Sequence, residues 1–334
     1  MRPTIRDVAK KLNLSITTVS RALDGYDDVA DETRQLVIET ARQMDYAPNR
    51  AARQLRRQQA ETMGFVIPSL SKRFDEAFYT EFIAGLGEQL SARNFDLLVS
   101  NATTDEGERS LFRRWVISNK VDGFILNRIY KHDWRIHYLS QEKIPFVALG
   151  KSQDRLDYPC IRINGSDAYL QLVQHLCENG FSRFAFVGGP KDLVDQMERM
   201  QWFKSALKKC DLDVDPNVVS TDLSSTAGYE ATRLLLTNSA PPDTILCVND
   251  EIAFGALHAA HEQGLVVGKD IAIAGFDGVQ DAKHCEPPLT TLDIPVTEIA
   301  RQLVDMLLKT IAGETVKSPI FIKPSLLVRP STGG

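Results

Sequence analysis

Short, uninterrupted apolar segments alternate with amphipathic helical patterns from residue 62 onward, and this alternation constrains the fold more than any other feature. Strands that are apolar along their whole length must be covered on both faces, which is typical of a parallel sheet between helices. The pattern therefore predicts an α/β region with doubly wound parallel sheets. The segments are 63–68, 95–100, 123–126, 145–149, 184–187, 244–248 and 271–275.

The same region repeats its helix ends. An Asn or Gly stands before an apolar residue at 93–95, 179–181 and 263–265, as expected where a helix closes with a left-handed residue. The repetition predicts two similar halves of βα units, divided near residues 157–163. A helix over 296–312 and a strand near 320–326 are expected to close the second half.

The first 45 residues predict three helices around a small core. Thr4 can cap the first helix with Asp7 as the capping-box carboxylate, and Ser15 can cap a second helix over residues 16–23. A third is expected over about 31–45. Two short helices around a tight turn, closed by a third, are typical of a helix-turn-helix domain. The apolar faces are Ile5, Val8, Ala9, Leu12; Val19, Ala22, Leu23; and Leu36, Val37, Thr40, Ala41, Met44.

Charge is distributed unevenly along the chain. The formal net charge is −5, but residues 1–60 hold 11 Lys and Arg against 8 Asp and Glu, whereas the remaining residues hold 28 against 36. The basic N-terminal region fits a module that docks on phosphates, with a solvated helical face as the alternative. Residues 49–59 are also basic, and Leu55 is their only large apolar side chain, so this segment is a linker or folds only against a partner.

Motifs for catalysis or metal binding are missing from the sequence. There is no GxGxxG or GxSxG, residues 264–269 lack the spacing of a phosphate-binding loop, and the histidines at 258 and 261 do not form HExxH. The five cysteines have no ligand spacing. We therefore expect neither an enzyme, a metal nor a cofactor. No segment is apolar enough to span a membrane and the N-terminus does not resemble a signal peptide, so a cytoplasmic protein is expected.

Polar side chains follow directly after several predicted strands. Asn249 and Asp250, Asp277, and Asn127 with Arg128 stand where open α/β sheets present ligand-binding groups. Carboxylates and amides there can bond to adjacent hydroxyl groups, and aromatic side chains can cover an apolar sugar face. The alternative for each residue is a helix cap. The candidate aromatic residues are Phe78, Tyr79 and Trp202.

Motifs along nearly the whole chain resemble the LacI/GalR family of bacterial transcription regulators. The N-terminal motifs are 4–12 (TIRDVAKKL), 14–23 (LSITTVSRAL), Thr33-Arg34, 46–49 (YAPN) and 52–55 (ARQL). The later motifs are 122–125 (DGFI), 186–189 (FVGG), Glu198-Arg199 with Phe203, Gly228-Tyr229, Asn249-Asp250, 275–277 (GFD) and 288–291 (PLTT). The N-terminal block is the most specific of these.

The resemblance implies a homodimer that binds a palindromic operator in double-stranded DNA. Its domains would be a helix-turn-helix at 1–47, a hinge helix or linker at 48–60 and an effector-binding domain at 61–334. Base reading would fall to Ile16, Thr17, Ser20 and Arg21, because Arg can bridge guanine O6 and N7 while apolar groups contact thymine methyls. Ala52 and Leu55 would enter the minor groove, with Leu55 as the wedge. Backbone contacts would come from Thr4, Ser15, Thr18, Asn49, Arg50 and Arg53.

The resemblance also implies an effector domain similar to periplasmic sugar-binding proteins. Its N-subdomain would span about 61–160 plus 293–319, and its C-subdomain about 161–292 plus 320–334. The expected function is a repressor of a carbohydrate-utilisation operon under a sugar-type effector; the alternative is a co-repressor-dependent regulator that responds to a phosphorylated sugar or other metabolite. Two residues depart from the family pattern: Trp202 stands where the family usually has Gly, and Leu223 stands where many members have an aromatic residue. The effector-binding residues would be Phe78, Tyr79, Asn127, Arg128, Arg199, Trp202, Leu223, Asn249 and Asp277.

Overall fold

A computed structural model describes residues 3–46, 59–68, 77–212 and 216–333. The chain divides into two compact units, residues 1–60 and 61–334. Among the described residues, no helix combines the length and the apolar character needed to cross a bilayer.

The first unit contains the three expected helices. They are α1 (Ile5–Leu12), α2 (Ile16–Leu23) and α3 (Asp31–Gln43). Val8, Val19 and Val37 are fully buried where the helices meet. The prediction for Leu36 was wrong, because this side chain is 52% exposed. The buried stripe of α3 follows Val37, Thr40 and Ala41, and Leu36 lies about a quarter turn away from it.

The second unit is built from alternating strands and helices, as the apolar pattern predicted. Its first elements are β1 (Thr62–Ile67), α4 (Ala77–Ser91), β2 (Asp96–Asn101), α5 (Asp105–Ile117), β3 (Gly123–Leu126), α6 (Trp134–Gln141), β4 (Phe146–Leu149), β5 (Cys160–Ile163), α7 (Ser166–Glu178) and β6 (Phe184–Gly188). They are followed by α8 (Val194–Lys209), β7 (Asn217–Ser220), α9 (Ser225–Leu236), β8 (Thr244–Cys247), α10 (Asp250–Glu262), β9 (Ala272–Asp277), β10 (Thr290–Asp293), α11 (Val296–Ile311), β11 (Ile320–Ile322) and β12 (Ser325–Leu327).

The strands form two six-stranded sheets of corresponding order. The first is β11-β5-β4-β3-β1-β2 and the second is β12-β10-β9-β8-β6-β7. Pairing is parallel except for β12, which runs antiparallel to β10. Strands β3, β6 and β8 are buried at every position, which explains their continuous apolar sequence.

The expected subdomain boundaries need correction at two places. Strand β5 pairs with β4, so residues 161–163 belong to the first half, and β11 pairs with β5 through Ile320 and Ile161. The single strand expected near 320–326 is two short strands, one in each sheet, and the chain passes between the halves at residues 323–324. Pro324 lies in this gap, where its ring and missing N–H are compatible with a break in pairing.

Candidate DNA-binding surface and ligand cavity

Helix α2 begins where its side-chain cap predicts. The Ser15 Oγ accepts from the Thr18 backbone N–H at 2.9 Å, and its hydroxyl lies 2.8 Å from Thr18 Oγ1. Ile16 and Thr17 are exposed in the first turn. In α1, the Thr4 backbone N–H and hydroxyl both donate to Asp7 Oδ2, at 2.8 and 2.7 Å. The Ser15 cap fixes the start of α2, so Ile16 and Thr17 lie in the exposed first turn of this helix.

Ser20 does not belong to that exposed surface, so the expectation that it is available for base reading was wrong. Its side chain is buried and its hydroxyl donates to Asp24 Oδ2 at 3.3 Å. Ser20 lies three residues before Leu23, on the side of α2 that packs against the core. Arg21, in contrast, keeps 42% of its side chain exposed.

Several predicted DNA contacts lie outside the described residues. These are the backbone contacts Asn49, Arg50 and Arg53 and the minor-groove residues Ala52 and Leu55.

A cavity in the second unit lies at the carboxyl ends of the strands, between the two halves. The first half contributes residues after β3 and β4, and the second contributes residues after β8, at the end of β9 and on α8. The predicted residues that line the cavity are Phe78, Asn127, Arg128, Arg199, Trp202, Leu223, Asn249 and Asp277.

Tyr79 was predicted to bind the effector, but it lies behind the cavity wall. It is 1% exposed, and its hydroxyl donates to Asn127 Oδ1 at 3.0 Å. Phe78, the preceding residue on α4, lines the cavity instead. Tyr79 thus orients the Asn127 amide, and the Nδ2 group of Asn127 can donate to a ligand.

Arg199 and Asp277 form the central polar pair of the cavity. Arg199 Nη2 lies 3.4 Å from Asp277 Oδ1, and Arg199 Nη1 donates to the Val248 carbonyl oxygen. The guanidinium carbon lies 3.6 Å from the centroid of the Phe276 ring. Asp277 has a φ of 116°, a conformation that L residues rarely adopt. Backbone strain at such a position is often associated with ligand binding.

Asn249 combines the cap role and the cavity position that the sequence left as alternatives. Its Oδ1 accepts from the Ile252 backbone N–H at 2.9 Å, which leaves Nδ2 as the group that can donate to a ligand. The next residue, Asp250, is fully buried and has a structural role. Its Oδ2 accepts from the backbone N–H groups of Gly278 and Val279, and its Oδ1 accepts from the Thr291 hydroxyl.

Trp202 and Leu223 each pack closely against a glycine residue. A Cβ atom on Gly165 would lie 2.7 Å from Trp202 Cε3, so the absence of a side chain at Gly165 lets the indole lie against the backbone. A Cβ atom on Gly189 would likewise lie 2.5 Å from Leu223 Cδ2. The two departures from the family pattern therefore form packed parts of the cavity wall.

Sequence reasoning missed several lining residues on α8. Asp195, Gln196 and Glu198 line the cavity beside Arg199. Arg162, at the end of β5, donates to Glu198 Oε1 at 2.5 Å and so joins the two halves; burial raises the pKa of Glu198. The quoted Glu198-Arg199 motif was the signal that could have identified the first turns of this helix.

A buried ion pair fixes the loop after β3. Asp133 Oδ2 lies 2.6 Å from Arg135 Nη2, and this nitrogen also donates to the carbonyl oxygens of Asn127 and Arg128. Glu108 Oε1 lies 3.4 Å from Arg135 Nη1. Burial opposes the charged form of Asp133, but the attraction of Arg135 together with the hydrogen bonds from Arg135 and the Tyr130 N–H outweighs it and lowers the pKa of Asp133. Desolvation dominates at Glu108 and raises the pKa of its carboxyl.

This loop also contacts the second half through the backbone. The Lys131 N–H donates to the Asp192 carbonyl oxygen at 2.8 Å, and the Val194 N–H donates to the Ile129 carbonyl oxygen at 2.9 Å. The cavity wall is therefore continuous across the two halves on this side. Within the described residues, no group of three His, Cys, Asp or Glu side chains could hold a metal ion.

Comparisons with known proteins identify the class. Residues 4–49 match the family model "Bacterial regulatory proteins, lacI family", and residues 173–332 match "Periplasmic binding protein-like domain". The chain is 32% identical over 342 residues to the HTH-type transcriptional regulator AglR of Rhizobium meliloti (strain 1021), with 100% of this chain and 95% of AglR covered.

Solved structures of the same organisation cover the whole chain. The transcriptional regulator CelR–cellobiose complex matches with a TM-score of 0.74 and 28% identity, over 99% of this chain and 100% of CelR. The lac repressor dimer bound to operator and the anti-inducer ONPF matches with a TM-score of 0.83 and 25% identity, over 99% of each chain. The fold and the site define a DNA-binding transcription regulator with a ligand-binding domain. The chain belongs to the LacI family of bacterial regulatory proteins.

Proposed function

We propose that this protein is a repressor of a carbohydrate-utilisation operon whose operator binding is controlled by a neutral sugar or polyol in the cavity. It acts in the cytoplasm as a homodimer on a palindromic operator, and it catalyses no reaction. Ile16, Thr17 and Arg21 on α2 read bases, Thr4, Ser15 and Thr18 contact the DNA backbone, and the hinge residues complete the contact. The resemblance of the N-terminal block and the LacI family match support these roles.

The Arg199–Asp277 pair is the main observation that supports a neutral sugar or polyol as the ligand. Asp277 can accept from two adjacent ligand hydroxyl groups, whereas Arg199 already donates to Val248 and faces Asp277, so its charge is compensated. Asp195 and Glu198 add further carboxylates to the cavity lining. Such a lining disfavours a phosphate dianion. The solved CelR relative is a cellobiose complex, which supports a carbohydrate.

The alternative is a co-repressor-dependent regulator that binds a phosphorylated sugar or other metabolite. Arg128 favours it, because this second guanidinium lines the cavity on the loop after β3, 5.0 Å from the centroid of the Tyr79 ring.

Binding can be measured directly because Trp202 lines the cavity. Titration with a panel of sugars, polyols and their phosphates, followed by tryptophan fluorescence and isothermal calorimetry, should identify a neutral ligand. Asp277→Asn, which removes the charge at nearly constant shape, should weaken that ligand at least about tenfold, since charge-assisted hydrogen bonds are lost. Tight binding of phosphorylated compounds alone would contradict a neutral ligand and favour the ligand class of the alternative, and unchanged binding by Asp277→Asn would remove this residue from the site.

A further inference from the structure

The guanidinium of Arg21 is held by the loop that follows its helix. Arg21 Nε donates to Asp28 Oδ1 at 3.0 Å, and Arg21 Nη2 lies 2.5 Å from Asp28 Oδ2. The guanidinium carbon lies 4.6 Å from the centroid of the Tyr26 ring. The carboxylate therefore engages the side edge of the guanidinium, and the aromatic ring packs against its face.

Arg34 on α3 fixes the loop that contains Asp28. Arg34 Nη2 donates to the carbonyl oxygens of Tyr26 and Val29 at 2.8 and 3.2 Å, and Arg34 Nη1 lies 3.0 Å from Asp31 Oδ1. Val29 is buried against the three-helix core. Asp28 is thus held at a defined position between two anchored residues, although its own side chain is 56% exposed.

An exposed ion pair of this kind contributes little to folding stability, because water screens it and both side chains lose entropy. Its geometry has a different consequence. A guanidinium has five N–H donors, and Asp28 uses the edge formed by Nε and Nη2. The end formed by Nη1 and the second N–H of Nη2 keeps the two parallel donors that match guanine O6 and N7.

We propose that Asp28 is a specificity-determining positioning residue, which holds Arg21 with its terminal edge presented for guanine. This inference rests on the proposed function, in which Arg21 reads a base. Without Asp28 the flexible arginine can reach a phosphate as well as a base, because both accept from the same donors. The carboxylate also repels nearby phosphates, so it lowers affinity for all DNA while it increases discrimination.

The test is a comparison of four full-length proteins on duplexes selected from a randomised palindromic library. They are the wild type, Arg21→Ala, Asp28→Asn and Asp27→Asn. Asp27→Asn is the matched control, because it removes the same charge from the neighbouring exposed position. Affinity is measured by anisotropy at one salt concentration for the selected duplex, for its single-base variants and for a duplex of unrelated sequence. Circular dichroism checks that each variant is folded.

We expect Asp28→Asn to reduce discrimination at the Arg21-dependent base pair about tenfold, the scale of one bidentate base contact. Its affinity for the unrelated duplex should rise, as it should for Asp27→Asn, because each loses one negative charge near phosphates. Asp27→Asn should retain full discrimination. This divergence between the two variants is a readout that a purely structural ion pair would not produce.

Two results would overturn the inference while the proposed function stands. If Arg21→Ala weakens discrimination while Asp28→Asn and Asp27→Asn behave alike, Arg21 reads a base without help from Asp28. If Asp28→Asn strengthens the selected duplex and sharpens discrimination, the carboxylate competes with DNA instead. Unchanged discrimination by Arg21→Ala is a different failure, since it removes the reading role of Arg21 from the proposed function and the inference with it.

Discussion

The two halves of the second unit share one strand order but anchor their cavity loops with different electrostatics. After β3, Asp133 is paired with Arg135, and this attraction together with the hydrogen bonds to the carboxylate outweighs burial and lowers the pKa of Asp133. After β8, the strand at the corresponding place in the second sheet, the hydrogen bonds that Asp250 accepts within the described residues all come from neutral donors. Desolvation raises the pKa of Asp250 to about 7.

The difference shows that the pKa values of buried carboxylates in similar places can shift in opposite directions. Asp133 stays charged wherever the protein is folded near neutral pH, so the first half depends on a permanent ion pair. Asp250 changes charge near pH 7, because three hydrogen bonds do not compensate its desolvation. Removal of one charge should therefore be costly in the first half and inexpensive in the second.

The largest expected effect is that of Asp133→Asn. This change leaves Arg135, which is completely buried, without its closest anion, and Glu108 at 3.4 Å compensates only in part. Breaking such a pair costs about 3 to 5 kcal/mol of unfolding free energy. Urea unfolding at pH 7 measures it, with Asp250→Asn as the matched variant. Equal losses in the two variants would contradict the distinction between the halves.

The next effect is on the pH dependence of stability. The folded state keeps a proton on Asp250 that the unfolded state loses above its ordinary pKa of 3.8, so this group makes stability fall as pH rises from about 4 to about 7. The steepest part approaches about 1.4 kcal/mol per pH unit.

Asp250→Asn should remove this slope, because an amide does not titrate between pH 4 and 8. The variant should keep the local hydrogen bonds, since an amide can accept from the two N–H groups and donate to the Thr291 hydroxyl. Urea unfolding from pH 4 to 8 measures the difference from the wild type, with Glu106→Gln, an exposed position in the first half, as the control. A variant that keeps the slope of the wild type would show that Asp250 does not titrate in this range.

A smaller effect is expected for Thr291→Val. The Thr291 hydroxyl donates to Asp250 Oδ1 at 2.6 Å, and its removal should cost about 1 to 3 kcal/mol at pH 8, where the carboxylate is charged. The cost should be smaller at pH 5. Thr232→Val is the matched control, since Thr232 is buried and its hydroxyl has no hydrogen-bond partner in the described part of the chain. Equal costs at both pH values would mean that the hydroxyl does not act through the charge.

Local sequence signals predicted the first unit best. The predicted bounds of α2 and the cap at Ser15 agree with the structure, because a cap depends on residues within one turn. The burial of individual side chains was predicted less well. Ser20 and Leu36 were assigned to the wrong faces, since each lies at the edge of a narrow apolar stripe. Which edge residue is covered depends on the packing of neighbouring helices, and one helical pattern does not contain that information.

The cavity shows the same limit over longer distances. Polar residues after strands were predicted because parallel strands bring their carboxyl ends to one edge. Phe78 and Tyr79 are adjacent aromatic residues, and contacts with residues distant in the sequence, such as the hydrogen bond to Asn127, hold Tyr79 behind the cavity wall. The interaction between Arg162 and Glu198 joins residues from different halves, so no local pattern predicts it.

The most direct test of the proposed function measures operator binding and ligand binding in one experiment. A fluorescently labelled selected palindrome is bound to the wild type and to Asp277→Asn, and the ligand identified by calorimetry is titrated while anisotropy is recorded. We predict equal operator affinity for both proteins without ligand, and a ligand-dependent change of affinity in the wild type that is shifted at least about tenfold in concentration or lost in Asp277→Asn. Operator binding that does not respond to any ligand bound in the cavity would contradict the account.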